Sequence, residues 1–404
     1  MKLLILTQYY PPEIGAPQNR LHELAVRLKA DGMEVNVLTA LPNYPRMEIM
    51  SGYENQKNRY EEIDGIPVHR SWIYVSKSKG IFSRLLIYFS FVWSSYWKGR
   101  KMKKYDYLLV ESPPLFLGYS ALRLAKKLNA KLIFNVSDLW PESAEKLGIV
   151  TNKIALKLAY KLEAKCYKKA FLITGQTQGI VDDICARFTD KKVYWLPNGV
   201  DLAFYNPSTI QAGNFRKKHG FTDQDVILFY GGIIGYAQGL DLIIKAANLL
   251  RDYSSIQFVI QGSGPEKESL VALKDSLSLT NVHFLEPVAK SEMPAILKSI
   301  DVALVPLKNL PLFNGAIPSK VFEALAMQVP LLLGVDGEAR HHFIEKGKAG
   351  LFFQPENADE LAKQALFLTE NLSKRLEMGQ NARRYVIENF DRNKIANDFK
   401  KQLE

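Results

Sequence analysis

Residues 1–40 read MKLLILTQYYPPEIGAPQNRLHELAVRLKADGMEVNVLTA, and they decide the fold. Lys2–Thr7 is apolar throughout Leu3–Leu6, the mark of a short strand covered on both faces. A loop rich in proline and glycine follows, Tyr9 to Pro17. The spacing of Leu21, Leu24, Ala25 and Leu28 then predicts a helix from about Gln18 to Ala30, stopped by Asp31-Gly32. Glu34–Thr39 is a second strand. Strand, helix and strand in this order form a parallel crossover unit, whose loops at the carboxyl strand ends face ligand.

The same alternation continues outward. Tyr107–Val110 precedes a helix over Leu115–Leu128, Lys131–Val136 precedes Ile154–Lys169, and Phe171–Thr174 precedes Gln178–Phe188. It breaks between Asn198-Gly199 and Gly220, a stretch that contains Pro207 and Gly213 and reads as a linker. It restarts with Val226–Tyr230, Ile256–Ile260, Val282–Leu285, Val302–Val305 and Leu331–Leu333, each followed by a helical pattern except the last. Two such series predict an α/β protein of two Rossmann-like, doubly wound domains facing a central cleft. The expected domains are 1–205 and 206–385, with a terminal helix at about 386–404 packing back on the first.

Composition bounds the function. The 404 residues are 47% hydrophobic and 24% charged, which excludes a disordered or coiled-coil chain. Cys166 and Cys185 are too few for a disulfide scaffold or a four-ligand zinc site. Residues 1–205 carry 30 Lys and Arg against 19 Asp and Glu, whereas residues 206–404 carry 23 of each. The whole excess of +11 therefore sits in the first half and points to an anionic partner there. The amino terminus does not read as a signal peptide, and no apolar run is long enough to span a bilayer. The expected location is cytoplasmic, peripheral on the cytosolic face of a membrane.

Residues 81–97, IFSRLLIYFSFVWSSYW, hold 12 apolar or aromatic residues among 17. At 100° per residue ten of them fall on one side, the exceptions being Ile87 and Phe91; Arg84 and the four serines take the other arc. Lys98, Arg100, Lys101, Lys103 and Lys104 follow. An aromatic face that includes Trp93 and Trp97, next to clustered cations, suits a lipid interface. The plainer alternative is a helix whose apolar side is buried against the sheet. Nucleic acid is not expected, because no polar base readers are interleaved with the cations.

Five constellations sit where strands end. Pro11–Pro17 has Gly15 and Ala16 ahead of a helix, a place for a sugar or phosphate contact or a plain turn. Asp138, in SDLWPE, either meets a substrate hydroxyl or caps a helix. Gly231-Gly232-Ile233-Ile234-Gly235 and Gly262-Ser263-Gly264-Pro265 are glycine loops whose amides are expected to meet phosphate oxygens. Lys267 stands where the dinucleotide pattern needs its third glycine, so a nicotinamide cofactor is disfavoured. Pro318 opens a helix carrying Ser319 and Lys320 as a diphosphate seat, and Glu323 one turn deeper suits a ribose diol. The six histidines are scattered, and Asp223-Gln224-Asp225 reads as a turn. No metal and no resident cofactor is expected.

Over nearly its whole length the chain resembles the family 4 glycosyltransferases, through ILTQYYPPEIGAPQNRLHELA, NVSDLWPES, LPNGVD, YGGIIGYAQGLD, QGSGPEKESL and PSKVFEALAMQVPLLL. The nearest resemblance is to the bacterial O-antigen, capsule and colanic-acid branch, with its N-acetyl-L-fucosamine transferases. It implies a GT-B fold, retention at the anomeric carbon, no essential metal, a nucleotide-sugar donor (a UDP-sugar) on the C-terminal domain, and a polyprenyl-diphosphate-linked sugar acceptor on the N-terminal one. Glu323 matches the second glutamate of the family's E-x7-E motif, and Gly315 stands where the first would be. The family's usual Arg and Lys fall near Gly232 and Gln238, so three usual side chains are absent. Ser319, Lys320 and the amides around Gly231–Gly235 and Asn314-Gly315-Ala316 are the expected substitutes. Gly15 matches the N-terminal glycine loop, Asp138 lies at or beside a position near the reacting sugar, and Val288 matches a position that meets the base. Two other readings stay open, a UDP-sugar 2-epimerase of the same fold and a basic membrane-binding protein without catalysis.

Overall fold

The computed structural model describes every residue except Ile14, Lys79, Leu147 and Ile149, and every side chain but those four and Ala16, Ile81 and Leu312. The chain divides into two units, residues 1–198 with 393–404, and residues 199–392. Each is a doubly wound α/β layer structure, as the alternation predicts.

In the first unit eight strands form one sheet. In chain order they are β1 (Lys2–Leu6), β2 (Glu34–Ala40), β3 (Asn58–Ile63), β4 (Ile66–Ser71), β5 (Tyr107–Ser112), β6 (Lys131–Val136), β7 (Leu172–Gly175) and β8 (Val193–Trp195). Their spatial order is β3-β4-β2-β1-β5-β6-β7-β8. All pairs are parallel except the β3–β4 hairpin, Asn58↔Ser71 to Ile63↔Ile66, at one edge. Alternation along β1 sends Leu4 and Leu6 to a core shared with Leu38, Leu108, Val110 and Phe134. Leu3 and Ile5 go to the opposite core, with Leu21, Leu24, Ala25 and Leu28 from the helix Ala16–Ala30.

The end of the chain completes that second core. Ala396, Phe399 and Leu403 pack with Leu3, Ile5 and Leu172. The Tyr107 hydroxyl donates to the Leu403 carbonyl, and Lys400 Nζ to the Asp31 carbonyl at 2.7 Å.

The second unit holds six parallel strands, β9 (Val226–Gly231), β10 (Ile256–Gln261), β11 (Val282–Leu285), β12 (Val302–Pro306), β13 (Leu331–Gly334) and β14 (Gly350–Phe352), in the order β11-β10-β9-β12-β13-β14. Near-continuous burial of β9, β10 and β12 matches their apolar runs.

Phe399 is fully buried. Phe399→Ala should lower the unfolding free energy by about 3–5 kcal/mol in urea titration, and limited proteolysis should then remove the last residues first.

Candidate functional site

In the second unit β10 lies on one side of β9 and β12 on the other. Open α/β sheets take ligands at the carboxyl strand ends beside such a reversal. Gly231–Gly235 leaves β9 there, Gly262–Pro265 leaves β10, and residues 307–318 run from β12 to the helix Ser319–Ala326.

The two glycine loops pack backbone on backbone. Gly232 N–H donates to the Gln261 carbonyl at 2.9 Å, Ile234 N–H to Ser263 at 2.9 Å, and Gly262 N–H to Leu285 at 3.1 Å. A Cβ on Gly262, which has φ +151, would stand 1.8 Å from the Gly232 carbonyl oxygen. Ala316 N–H donates to Phe313 at 2.9 Å. The expectation that these loops meet phosphate is narrowed to their other amides, because these four are bonded within the protein. Ladder-like bonding continues past the strand ends, because buried backbone donors take the nearest carbonyl, and the amides of Gly232, Ile234, Gly262 and Ala316 are spent there.

Charge takes their place. Lys320 Nζ lies 3.6 Å from the centre of the Tyr230 ring. It is also 3.0 Å from where a Cβ on Gly232 would stand, so the bare glycine makes room for the ammonium. Lys320 forms no ion pair among the described residues, not even with Glu323. Burial pushes its ammonium down to about 7, with Glu323 acting in the opposite direction. Burial likewise raises the Glu323 carboxyl, against Lys290, the Tyr205 hydroxyl, Arg392 and Lys320. The helix Ser319–Ala326 starts at Pro318 without a side-chain cap, so the amides of exposed Ser319 and of Lys320 have no intrahelical acceptor.

The other predicted residues are dispersed around this end. Gln238 closes a short turn, Tyr236–Gln238, with its amide folded over Gly235. Val288 is half-buried in the loop after β11, and Asn314 and Gly315 are exposed in the turn Pro311–Gly315. One cation escaped the sequence reading. Lys308, two residues beyond β12, places Nζ 3.3 Å from the centre of the Tyr236 ring. Nothing in the local pattern marks it, since only the neighbouring strand brings it to the loop.

Gly15 and Asp138 belong to the first unit. Gly15 precedes the helix Ala16–Ala30 in extended backbone, with the Gln18 amide where a Cβ would stand; Ile14 and the Ala16 side chain in that loop lie outside the described residues. Asp138 is half-buried, and its Oδ1 accepts from the Ser143 hydroxyl at 2.6 Å. That contact joins two side chains and caps no backbone N–H, and Oδ2 is left for another partner. Beside it is a buried network the sequence did not suggest. Arg20 Nη2 donates to Glu111 Oε1 at 2.8 Å and to Ser137 Oγ at 2.6 Å, and Asn135 donates to Glu111 Oε2.

The helix Ile81–Gly99 is arranged inside out. Phe82, Leu85, Leu86, Phe89, Trp93 and Trp97 are exposed, Phe82 by 74% and Trp93 by 61%. The buried face consists of Ile87 and Phe91 with Ser94 and Ser95. Ser95 Oγ donates to Ser120 Oγ at 2.9 Å, and Ser94 Oγ to the Trp72 carbonyl. The plainer alternative holds only in part: Val92 and Tyr96 of the apolar side are half-buried against the core, while its six large residues stay exposed. Lys98, Lys101, Lys103 and Lys104 form no ion pairs among the described residues, and Arg100 stacks on Trp97 at 3.8 Å. A groove of about 1140 Å³ runs beside them, lined in part by Trp72, Trp93, Trp97 and Lys101. Among the described residues no helix is long and apolar enough to cross a membrane, and no three His, Cys, Asp or Glu side chains gather to hold a metal ion.

Comparison with known proteins matches residues 15–199 to the glycosyl transferase 4-like domain and residues 211–385 to glycosyl transferases group 1. WcaI of Escherichia coli K12, whose name assigns it to colanic acid biosynthesis as a glycosyl transferase, is 28% identical over 335 residues, 81% of each chain. An uncharacterised glycosyltransferase of Methanocaldococcus jannaschii, MJ1607, is 23% identical over 98% of this chain and 96% of its own. Among solved structures, Anabaena HepE in complex with UDP and glucose superposes with a TM-score of 0.72 at 16% identity, over 100% of this chain and 99% of that one. WaaG, a glycosyltransferase of lipopolysaccharide biosynthesis, gives 0.68 at 16%, over 99% of each. These two likenesses concern the fold.

The contact between the glycine loops has a direct consequence. Gly262→Ala should cost about 2 kcal/mol or more, seen as a lowered melting temperature, because the obstructing atom is backbone and cannot swing away.

Proposed function

Because the chain belongs to the family 4 glycosyltransferases of GT-B fold and is itself a glycosyltransferase, we propose that it moves a sugar from a UDP-sugar to a polyprenyl-diphosphate-linked saccharide, with retention and without a metal, in cell-surface polysaccharide synthesis. The observation that carries this reading is the Lys320 ammonium, half-buried at the β9/β12 reversal beside an uncapped helix start and without an ion-pair partner among the described residues. WcaI's name supports the pathway class, and the complex of HepE with UDP and glucose supports the choice of nucleotide.

In the proposed reaction the acceptor oxygen bonds to the anomeric carbon as the carbon–oxygen bond to the diphosphate breaks. The departing diphosphate keeps the electron pair and takes the acceptor's proton on the same face. Negative charge grows on that diphosphate, where a cation fixed in a low-dielectric setting stabilises it most. Glu323 takes the ribose diol. Asp138, through Oδ2, positions the sugar or steadies its positive character.

A diphosphate binds the ammonium form of Lys320. Free enzyme with a Lys320 value of about 7 should therefore take up a proton on donor binding. The dissociation constant for UDP should be flat below about pH 6.5 and rise by up to about tenfold per unit above 7, as calorimetry reads it. The stability of the unliganded protein changes in the direction opposite to UDP affinity. The unfolded chain binds the proton up to about pH 10, so stability from this group rises between pH 7 and 10. Lys320→Ala should flatten both profiles and raise the donor KM. Asp138→Ala should lower kcat with the donor KM unchanged, and EDTA should leave transfer unaffected. Loss of transfer in EDTA, or nucleotide affinity indifferent to Lys320, refutes this reading of the site.

The inside-out helix supports attachment to the cytosolic face. Exposed Phe82, Phe89 and Trp93 meet the acyl boundary while Lys101, Lys103 and Lys104 meet anionic headgroups. At ~1 kcal/mol per cation, replacing those three lysines by serine should weaken binding to phosphatidylglycerol vesicles by about a hundredfold in co-sedimentation. Trp93→Ser should weaken binding to anionic and neutral vesicles alike. Equal binding by all variants would remove the membrane role.

A further inference from the structure

We infer that Lys308 is the second cation of the donor's diphosphate seat, an assignment that rests on the reading of that site as a nucleotide-sugar site. Two independent features place it there. Its backbone N–H donates to the Ala237 carbonyl at 3.0 Å, which ties the loop after β12 to the turn after β9, directly across the strand reversal. Its side chain then crosses Gly239, where a Cβ would stand 3.1 Å from Lys308 Cγ, and ends on the Tyr236 face at 3.3 Å. Gly239 has φ +58 and no side chain, so the lysine stem lies flat against the loop.

The arrangement repeats that of Lys320. Each ammonium sits on a tyrosine ring, Tyr230 or Tyr236, and each stem or head covers a glycine of the same loop, Gly232 or Gly239. Neither ammonium has an ion-pair or hydrogen-bond partner among the described residues. A ring face attracts a cation without neutralising it, so both charges remain available to a ligand. Tyr236 is 67% exposed and Lys308 is half-exposed, so this ammonium is reachable from solvent. A nucleoside diphosphate carries two adjacent anionic groups, and a single ammonium leaves one of them unmatched. With the loop amides of Gly232, Ile234 and Gly262 spent on backbone, Lys308 is the group at the reversal that supplies the missing charge. Two ammonium groups on one loop also discriminate by charge, favouring a diphosphate over a monophosphate and a monophosphate over a nucleoside.

The test is calorimetry of the full chain with UDP, UMP and uridine. Lys308→Gln should weaken UDP by about tenfold or more, leave uridine within twofold, and shrink the affinity gap between UDP and UMP. Lys308→Arg should retain most of the wild-type affinity. An unchanged melting temperature shows that both variants fold. If Lys320→Ala loses UDP while Lys308→Gln keeps it, Lys308 is no part of the seat although the seat stands. If Lys308→Gln weakens uridine as much as UDP, its role is packing and not charge. If the wild type binds none of the three, or if both lysine variants keep full UDP affinity, the donor-site reading itself fails and this assignment with it.

Discussion

A half-buried cation without an ion-pair partner is costly to a folded protein, and Lys320 stands in that position at the β9/β12 reversal. Taking an ammonium out of water disfavours its charged form, which is why burial pulls Lys320 down to about 7. The Tyr230 face offsets part of that cost, and the glycine at 232 leaves room where any larger residue would meet the ammonium. The remainder is not balanced within the unit. Glu323, three residues on, is turned to other neighbours, and burial raises its own carboxyl. An anion arriving at this point gains both the Coulomb attraction and the protonation of a group poised to accept it.

The first unit shows a different imbalance, of surface and not of charge. A helix normally turns its apolar stripe inward. In Ile81–Gly99 the inward face instead carries Ser94 and Ser95, held by hydrogen bonds to Trp72 and Ser120, and six large apolar residues stay outside. Leaving such side chains in water forfeits roughly 1.5–3 kcal/mol each relative to burial. Ile87 and Phe91, the only apolar exceptions in the helical wheel, are the residues that anchor the helix to the core. The excess positive charge of residues 1–205 collects in part at the end of the same helix, so the apolar and cationic surfaces are continuous.

Most of the fold was legible in the sequence because parallel strands buried on both faces announce themselves as apolar runs. What stayed hidden had weak or shared signals. The hairpin β3–β4 is a half-exposed edge, with β3 alternating more and less exposed residues in Asn58–Ile63, and its Asp64-Gly65 turn is the one local signal of it. The strands Val193–Trp195 and Gly350–Phe352 are three residues long, too short to carry a period. At the site, Lys320 and Glu323 were legible because they share one helix turn with Ser319. Lys308 and Arg20 were not, since each acquires its meaning from a neighbouring strand: Lys308 from the loop after β9, Arg20 from Glu111 at the end of β5. The glycine loops misled for a related reason. A glycine at a strand end signals close approach, but the sequence does not say whether a ligand or another backbone approaches, and at Gly262 it is the Gly232 carbonyl.

The same close packing bears on the absence of the Arg and Lys that the resemblance implies at this loop. A side chain projecting from position 232 would need the volume that the Lys320 ammonium occupies, 3.0 Å from the missing Cβ. Glycine there and lysine at 320 are therefore one choice, not two. The loop gives up its own cation so that the helix after β12 can deliver one to the same point, and Tyr230 holds it there. Gly239 and Lys308 stand in the same relation one turn later, with Tyr236 as the ring. A single swap, such as Gly232→Arg with Lys320 retained, crowds two like charges into one space, so each pair is expected to change together or not at all. The proposed seat would thus be defined by where charge ends up in the fold and not by which residue along the chain supplies it.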